Sequence, residues 1–175
     1  MRILIYSSLI FAFLSVFGSA KEWTKFRGPS GDGHVTVKSI PLKWSETENI
    51  KWKVSVPGKG WSSPVISADK IYLTSAVAEG DNQDAADVNR ELRVICFSAN
   101  NGKKLWDTKV FDQKPLKRPI HHKNSHASPT AIVDNDRIYV HFGHMGSACL
   151  NLQGEIIWRN DELKYDPLHG NGGTP

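Results

Sequence analysis

Histidine is the residue type in this chain whose placement comes nearest to chemistry. Six of the seven imidazoles, His121, His122, His126, His141, His144 and His169, crowd into the last third of the sequence, and His34 stands apart. Neutral imidazole is the commonest protein donor to metals and also a donor to anions. His122, His126 and His144, with His169 further on, therefore form the candidate ligand or metal set. The spacing is not diagnostic. His122 and His126 are four apart, which aligns ligands on a helix, but Ser128-Pro129 and Pro119 argue for a loop. Metal binding, ligand contact without a metal, and plain loop polarity all stay open.

Other chemistry is thinner. Glu79, Asp81, Asp84 and Asp87 put four carboxylates in one short stretch, without the residue order or closing Glu of a known calcium loop, so they read as a solvated acidic loop. The chain has no G-x-S-x-G, no H-E-x-x-H and no phosphate-cradling glycine loop; Gly170-Asn-Gly172-Gly173 is a Gly-rich link. No catalytic residue is assigned.

The elements that must position these residues repeat. Trp52, Trp106 and Trp158 recur at intervals of 54 and 52 residues, and each is followed by a loop and a Ser/Thr-Pro dipeptide: Ser63-Pro64, Ser128-Pro129, Thr174-Pro175. Residues 64–75 read as strand, turn at Ala68-Asp69-Lys70, strand. Residues 91–97 give a third strand, Asn100-Asn101-Gly102 a two-residue hairpin, and Lys104 onward a fourth. The second unit copies the order: Pro129–Val133, a turn at Asp134-Asn-Asp136, Arg137–Phe142, Ala148–Leu152, a hairpin at Gln153-Gly154, and Glu155–Arg159. Four antiparallel strands per unit of about 50 residues, with no helical period, predict an all-β fold of β-propeller blades. The tryptophans are expected to pack between neighbouring blades, and Gly102 and Gly154 to supply positive φ.

Strand order then sorts the loops. The short turns after the first and third strands share one end of the blades, here the lower face. The long segments 76–90, 107–127, 143–147 and 160–173 share the upper face, and six histidines go with them. His126 holds the place taken by Trp61 and Gly172 in the other units, near the central channel. Loop-borne function is expected on this upper face.

Arg2, the apolar stretch from Ile3 to Phe17 and the small residues Gly18-Ser19-Ala20 have the make-up of a signal peptide cleaved after Ala20, with an uncleaved anchor as the alternative. The reading is an exported chain, periplasmic or extracellular, with no transmembrane span after cleavage. The net charge of +4 is too mild and too evenly spread to favour nucleic acid. Cys96 and Cys149 fall at nearly equivalent places in successive units, a spacing that favours two buried free thiols over a disulfide, which an oxidising compartment would otherwise permit. The expected organisation is a signal peptide (1–20), an N-terminal extension (21–49) and a partial propeller (50–175). Its blades lie near 62–110 and 127–160, and a third opens near 172. A closed ring of six to eight blades needs roughly 300–400 residues, so the chain is expected to be the N-terminal part of a longer protein, with open edges.

Gly102-Lys-Lys-Leu-Trp106 and Gly154-Glu-Ile-Ile-Trp158 resemble the repeat of the PQQ-like (quinoprotein-like) β-propellers. Trp23-Thr-Lys-Phe26-Arg27-Gly28-Pro29, and Trp52-Lys-Val-Ser-Val-Pro57-Gly58 leading to Ser62-Ser63-Pro64, resemble exported BamB-like members of that group. The resemblance covers about residues 22–175. The hairpins, Ser98-Ala-Asn-Asn101-Gly102 and Asn151-Leu-Gln153-Gly154, are degenerate copies of the usual pattern. The resemblance implies a non-enzymatic binding or scaffold module at the cell envelope, with protein or polysaccharide as partner. The alternative it implies is a quinoprotein oxidoreductase using PQQ and calcium, or another metal; adjacent cysteines, common in such enzymes, are missing. A sensor ectodomain is a third reading. Fold alone does not choose among them.

Overall fold

Along Lys70–Ala78 and Arg90–Ser98 every even-numbered residue from Tyr72 to Ala78 and from Arg90 to Cys96 is buried, while several odd ones reach the surface. That period of two is what a pleated strand requires to bury one face. Cross-strand pairing joins the two buried rows: Tyr72 stands opposite Cys96, Thr74 opposite Val94 and Ala76 opposite Leu92. A computed structural model describes residues 22–37, 39–85, 87–116, 120–162, 165 and 170–175. The candidate signal peptide and His169 lie outside the described residues.

The protein is all-β. Strands β1 (Val65–Ser67), β2 (Lys70–Ala78), β3 (Arg90–Ser98) and β4 (Lys104–Gln113) make one antiparallel sheet in sequential order. Strands β5 (Ile132–Asp134), β6 (Arg137–His141), β7 (Ser147–Asn151) and β8 (Ile156–Asn160) make a second. Two such meanders side by side are two neighbouring propeller blades in an unclosed arrangement. The one helical element among the described residues is a 3-10 turn, Gly143–Met145.

The core lies between the blades. Tyr72, Leu92, Val94, Cys96 and Val110 of the first face Val133, Ile138, Val140, Ala148 and Leu150 of the second. The inner edges are stitched by polar contacts: the Ser63 N–H donates to Thr130 Oγ1 at 3.0 Å, the Trp61 N–H to the Ala127 carbonyl at 3.1 Å, and Thr74 Oγ1 to the Pro129 carbonyl at 3.1 Å. Such bonds satisfy backbone groups that the gap between sheets would otherwise strand. The N-terminal extension is part of the same body, because Trp23 pairs with Ile66 of β1 and the Val133 N–H reaches the Thr24 carbonyl at 2.8 Å.

Two of the repeat tryptophans, Trp52 and Trp106, dock on the hairpin of the next unit. The Trp52 indole N–H donates to the Ala99 carbonyl at 3.0 Å, and that of Trp106 to the Leu152 carbonyl at 3.1 Å. The rings lie flat against Gly102 and Gly154, where a Cβ would come within 2.7 Å of a ring carbon. Glycine is needed there for room as well as for its φ of +72° and +88°. Trp158 continues the series but stays 43% exposed beside Tyr139.

Several expected boundaries shift. The first hairpin is a four-residue loop, not a two-residue one: the Ser98 N–H closes it on the Lys103 carbonyl at 2.9 Å. The wider loop lets the Ala99 N–H bond the Asp69 carbonyl at 2.8 Å while its carbonyl receives Trp52. The second is a three-residue loop ending on left-handed Gly154, closed by the Asn151 N–H on the Glu155 carbonyl at 2.9 Å. β5 begins at Ile132, because Pro129 has no N–H to give a ladder and Thr130 spends its hydroxyl on the neighbouring blade. The Trp106 and Trp158 strands each carry a register shift opposite the tryptophan or next to it. Cys96 and Cys149 are free and buried, and burial pushes the Cys96 thiol up to about 11.

Candidate functional site

The meander order places the turns Ala68-Asp69 and Asn135-Asp136, and both hairpin loops, at the lower end of the blades. The upper end carries the long connections. Three of them converge: the 57–61 segment that leads into β1, the β2–β3 loop, and the link from β4 to β5. Lys59 is fixed by backbone pairing with Ala76, at 2.9 and 2.8 Å. Between these segments lies a cavity of about 330 Å³, walled by Lys59, Trp61, Arg90, His121, His122 and His126 among others.

Each wall has its own support. Within the β2–β3 loop, Gln83 Oε1 accepts the Ala78 N–H at 2.8 Å, and the Asn89 amide reaches Glu79 at 2.8 Å. Asp84 pairs with Lys59 across the cavity mouth. In the link, Ser128 Oγ bonds Asn124 Oδ1 at 2.6 Å and Ser125 Oγ at 2.9 Å, and Ser125 Oγ also takes the Trp61 N–H at 3.1 Å. That network locks the turn carrying His126 against the first blade.

His126 is the most perturbed imidazole. Burial first, then the charge of Arg90 and the proximity of His144, depress it to about 4. It is therefore neutral at physiological pH. His121 and His122 are exposed and stacked, their centroids 4.3 Å apart. His144 sits beyond the wall, its Nδ1 3.2 Å from the Asn171 amide and its ring edge-on to Tyr165 at 6.2 Å. His141 Nδ1 lies 2.9 Å from Ser147 Oγ, and burial lowers its pKa.

The structure thus brings His122 and His126 into one cavity and places His144 behind it, tied to other partners. Among the described residues no group of three or more His, Cys, Asp or Glu side chains is placed to hold a metal ion. The described donors do not fit calcium with a quinone either: the acidic-loop carboxylates are exposed, with Asp84 given to Lys59 and Glu79 to Asn89, and the cysteines are buried singly in separate blades.

Arg90 is what sequence inspection missed. It is 6% exposed, and its guanidinium donates to the Val88 carbonyl at 3.2 Å and to the Ala85 carbonyl. A signal was present: Arg90, Leu92, Val94 and Cys96 alternate on one face of β3, so the period of two already put an arginine on the core side. Lys59 was likewise overlooked, and Trp61, noted for its place in the repeat, is 58% exposed at the cavity wall.

No protein-family model matches the chain, and no curated protein is significantly similar to it. Fold and site define its class: an all-β protein of unclosed propeller blades with an elaborated upper face. No helix among the described residues is long and apolar enough to cross a membrane.

Proposed function

We propose that this protein is a non-enzymatic binding module of the PQQ-like propeller type, exported to the cell envelope, whose upper face receives a saccharide-sized partner. The observation that carries this reading is the cavity of about 330 Å³ built from three converging upper-face segments, with an exposed tryptophan on its wall. The lower face offers only short turns. A concave site with an aromatic wall and a few convergent polar groups suits a small ligand or the end of a glycan better than a flat protein surface. Export rests on the composition of the first 20 residues.

The test uses full-length protein purified from the envelope fraction. Absorbance and metal content are recorded with and without added PQQ and calcium, and glycan binding is measured on the same sample. Glycan binding that is lost on Trp61→Ala, with no uptake of PQQ or calcium, supports the module. Stoichiometric uptake of PQQ with calcium overturns it in favour of an oxidoreductase.

A further inference from the structure

Arg90 poses an energetic problem that the described residues do not solve. Its guanidinium is buried, yet both its hydrogen-bond acceptors are neutral backbone carbonyls, and no carboxylate lies within ion-pair distance among the described residues. The acid whose charge acts on it, Asp84, is already paired with Lys59. A buried cation without a counter-ion is costly, and the protein tolerates it where something else supplies the charge.

The surroundings say what would. Arg90 faces the cavity that Lys59 and three imidazoles also line. Of five guanidinium N–H donors, two are spent on carbonyls, and the fork geometry suits a carboxylate, sulfate or phosphate. Asp84, the carboxylate on the cavity lining, is exposed and already paired with Lys59.

Resting on the binding-module reading, we infer that the cavity takes its ligand through an oxyanion group. A carboxylate, sulfate or phosphate is held by Arg90 and Lys59, and its saccharide-sized body lies against Trp61. His126, neutral and close to Arg90, contributes a hydrogen bond without a charge of its own. A cavity of about 330 Å³ admits one acidic sugar unit, not an extended chain.

The experiment is calorimetric titration of the full-length protein with sodium sulfate, sodium phosphate and sodium glucuronate. Sodium chloride at matched ionic strength and neutral glucose serve as controls, and the His126 imidazole resonance is followed by NMR. Saturable binding of glucuronate that moves the His126 resonance, with no response to chloride, is expected. Arg90→Gln should weaken it about tenfold or more, and Arg90→Lys less. Because Arg90 also holds the β2–β3 loop, the largely exposed Lys59→Gln and Trp61→Leu variants carry the test if Arg90 variants do not fold. Each should weaken glucuronate several-fold, and Trp61→Leu should leave sulfate untouched.

Binding of sulfate or phosphate without glucuronate keeps the oxyanion site but overturns the saccharide body. No saturable response to any oxyanion, or one that survives the Lys59→Gln and Trp61→Leu changes together, overturns the inference. Retained neutral-glycan binding would then leave the module reading standing, whereas loss of both sinks the two together.

Discussion

The lower and upper ends of these blades are built on opposite principles. At the lower end one contact recurs although the hairpins differ in length: an indole lies against a glycine and donates its N–H to a hairpin carbonyl, at 3.0 Å in one blade and 3.1 Å in the next. At the upper end the two blades share almost nothing. The first carries an acidic loop tied down by Gln83 and Arg90, the second a single 3-10 turn held by Asn171. Buried apolar side chains run the length of both blades, whereas the buried cation Arg90 stands at the upper end, where the repeat is broken. The contrast separates an end built by repetition from an end built by elaboration.

The sharpest way to break the comparison is at the lower end. Trp106→Ala removes both the inter-blade ring and its hydrogen bond, and should cost about 3–5 kcal/mol in urea unfolding. A cost below about 1 kcal/mol would mean that the docking is decorative. Acid acts next, and from the upper end. His126 titrates near 4 when folded and near 6.5 as a free side chain, so only the unfolded chain gains a proton between those values. Stability is complete above pH 6.5 and falls as the pH drops towards 4, by about 2–3 kcal/mol. Half-buried His141 adds a loss of the same sign. His126→Leu should flatten that slope, and urea midpoints at pH 7 and pH 4.5 decide it.

Gly154→Ala should cost about 2 kcal/mol, part from its left-handed φ and part from the Cβ forced onto Trp106. Pairing it with Trp106→Ala in a double-mutant cycle isolates the steric share. At the lower turns, Ala68 has a φ of +51° where the equivalent Asn135 has +50°. Alanine is strained there and asparagine is not, so Ala68→Asn should raise stability by about 0.5–1 kcal/mol in thermal unfolding. The smallest effect is expected on the upper rim. Asp84→Asn frees Lys59 and should change stability by less than about 0.5 kcal/mol, because the pair is exposed. The same change should tighten oxyanion binding, a dissociation of stability from affinity that the lower end cannot show.

The strands, the turn positions and the equivalence of the tryptophans were legible because each depends on neighbours in sequence: alternation, a turn residue, a glycine. Hairpin length was not, because the first loop is shaped by Trp52, an irregular-segment residue nearly fifty positions earlier, which captures the Ala99 carbonyl. The site was half legible. Strand order alone carried the histidines to one end, but only packing separated His122 and His126, which share the cavity, from His144, which turns to Asn171 and Tyr165.

The period, the all-β class and the side of the blades on which long loops gather follow from residue spacing and pleat alone. It took the folded chain to bury Arg90 beside an imidazole held neutral and a lysine already paired. Burial and charge compensation are properties of three segments folded against one another. Nothing in the order of residues along any one of them fixes how many partners a cation will find.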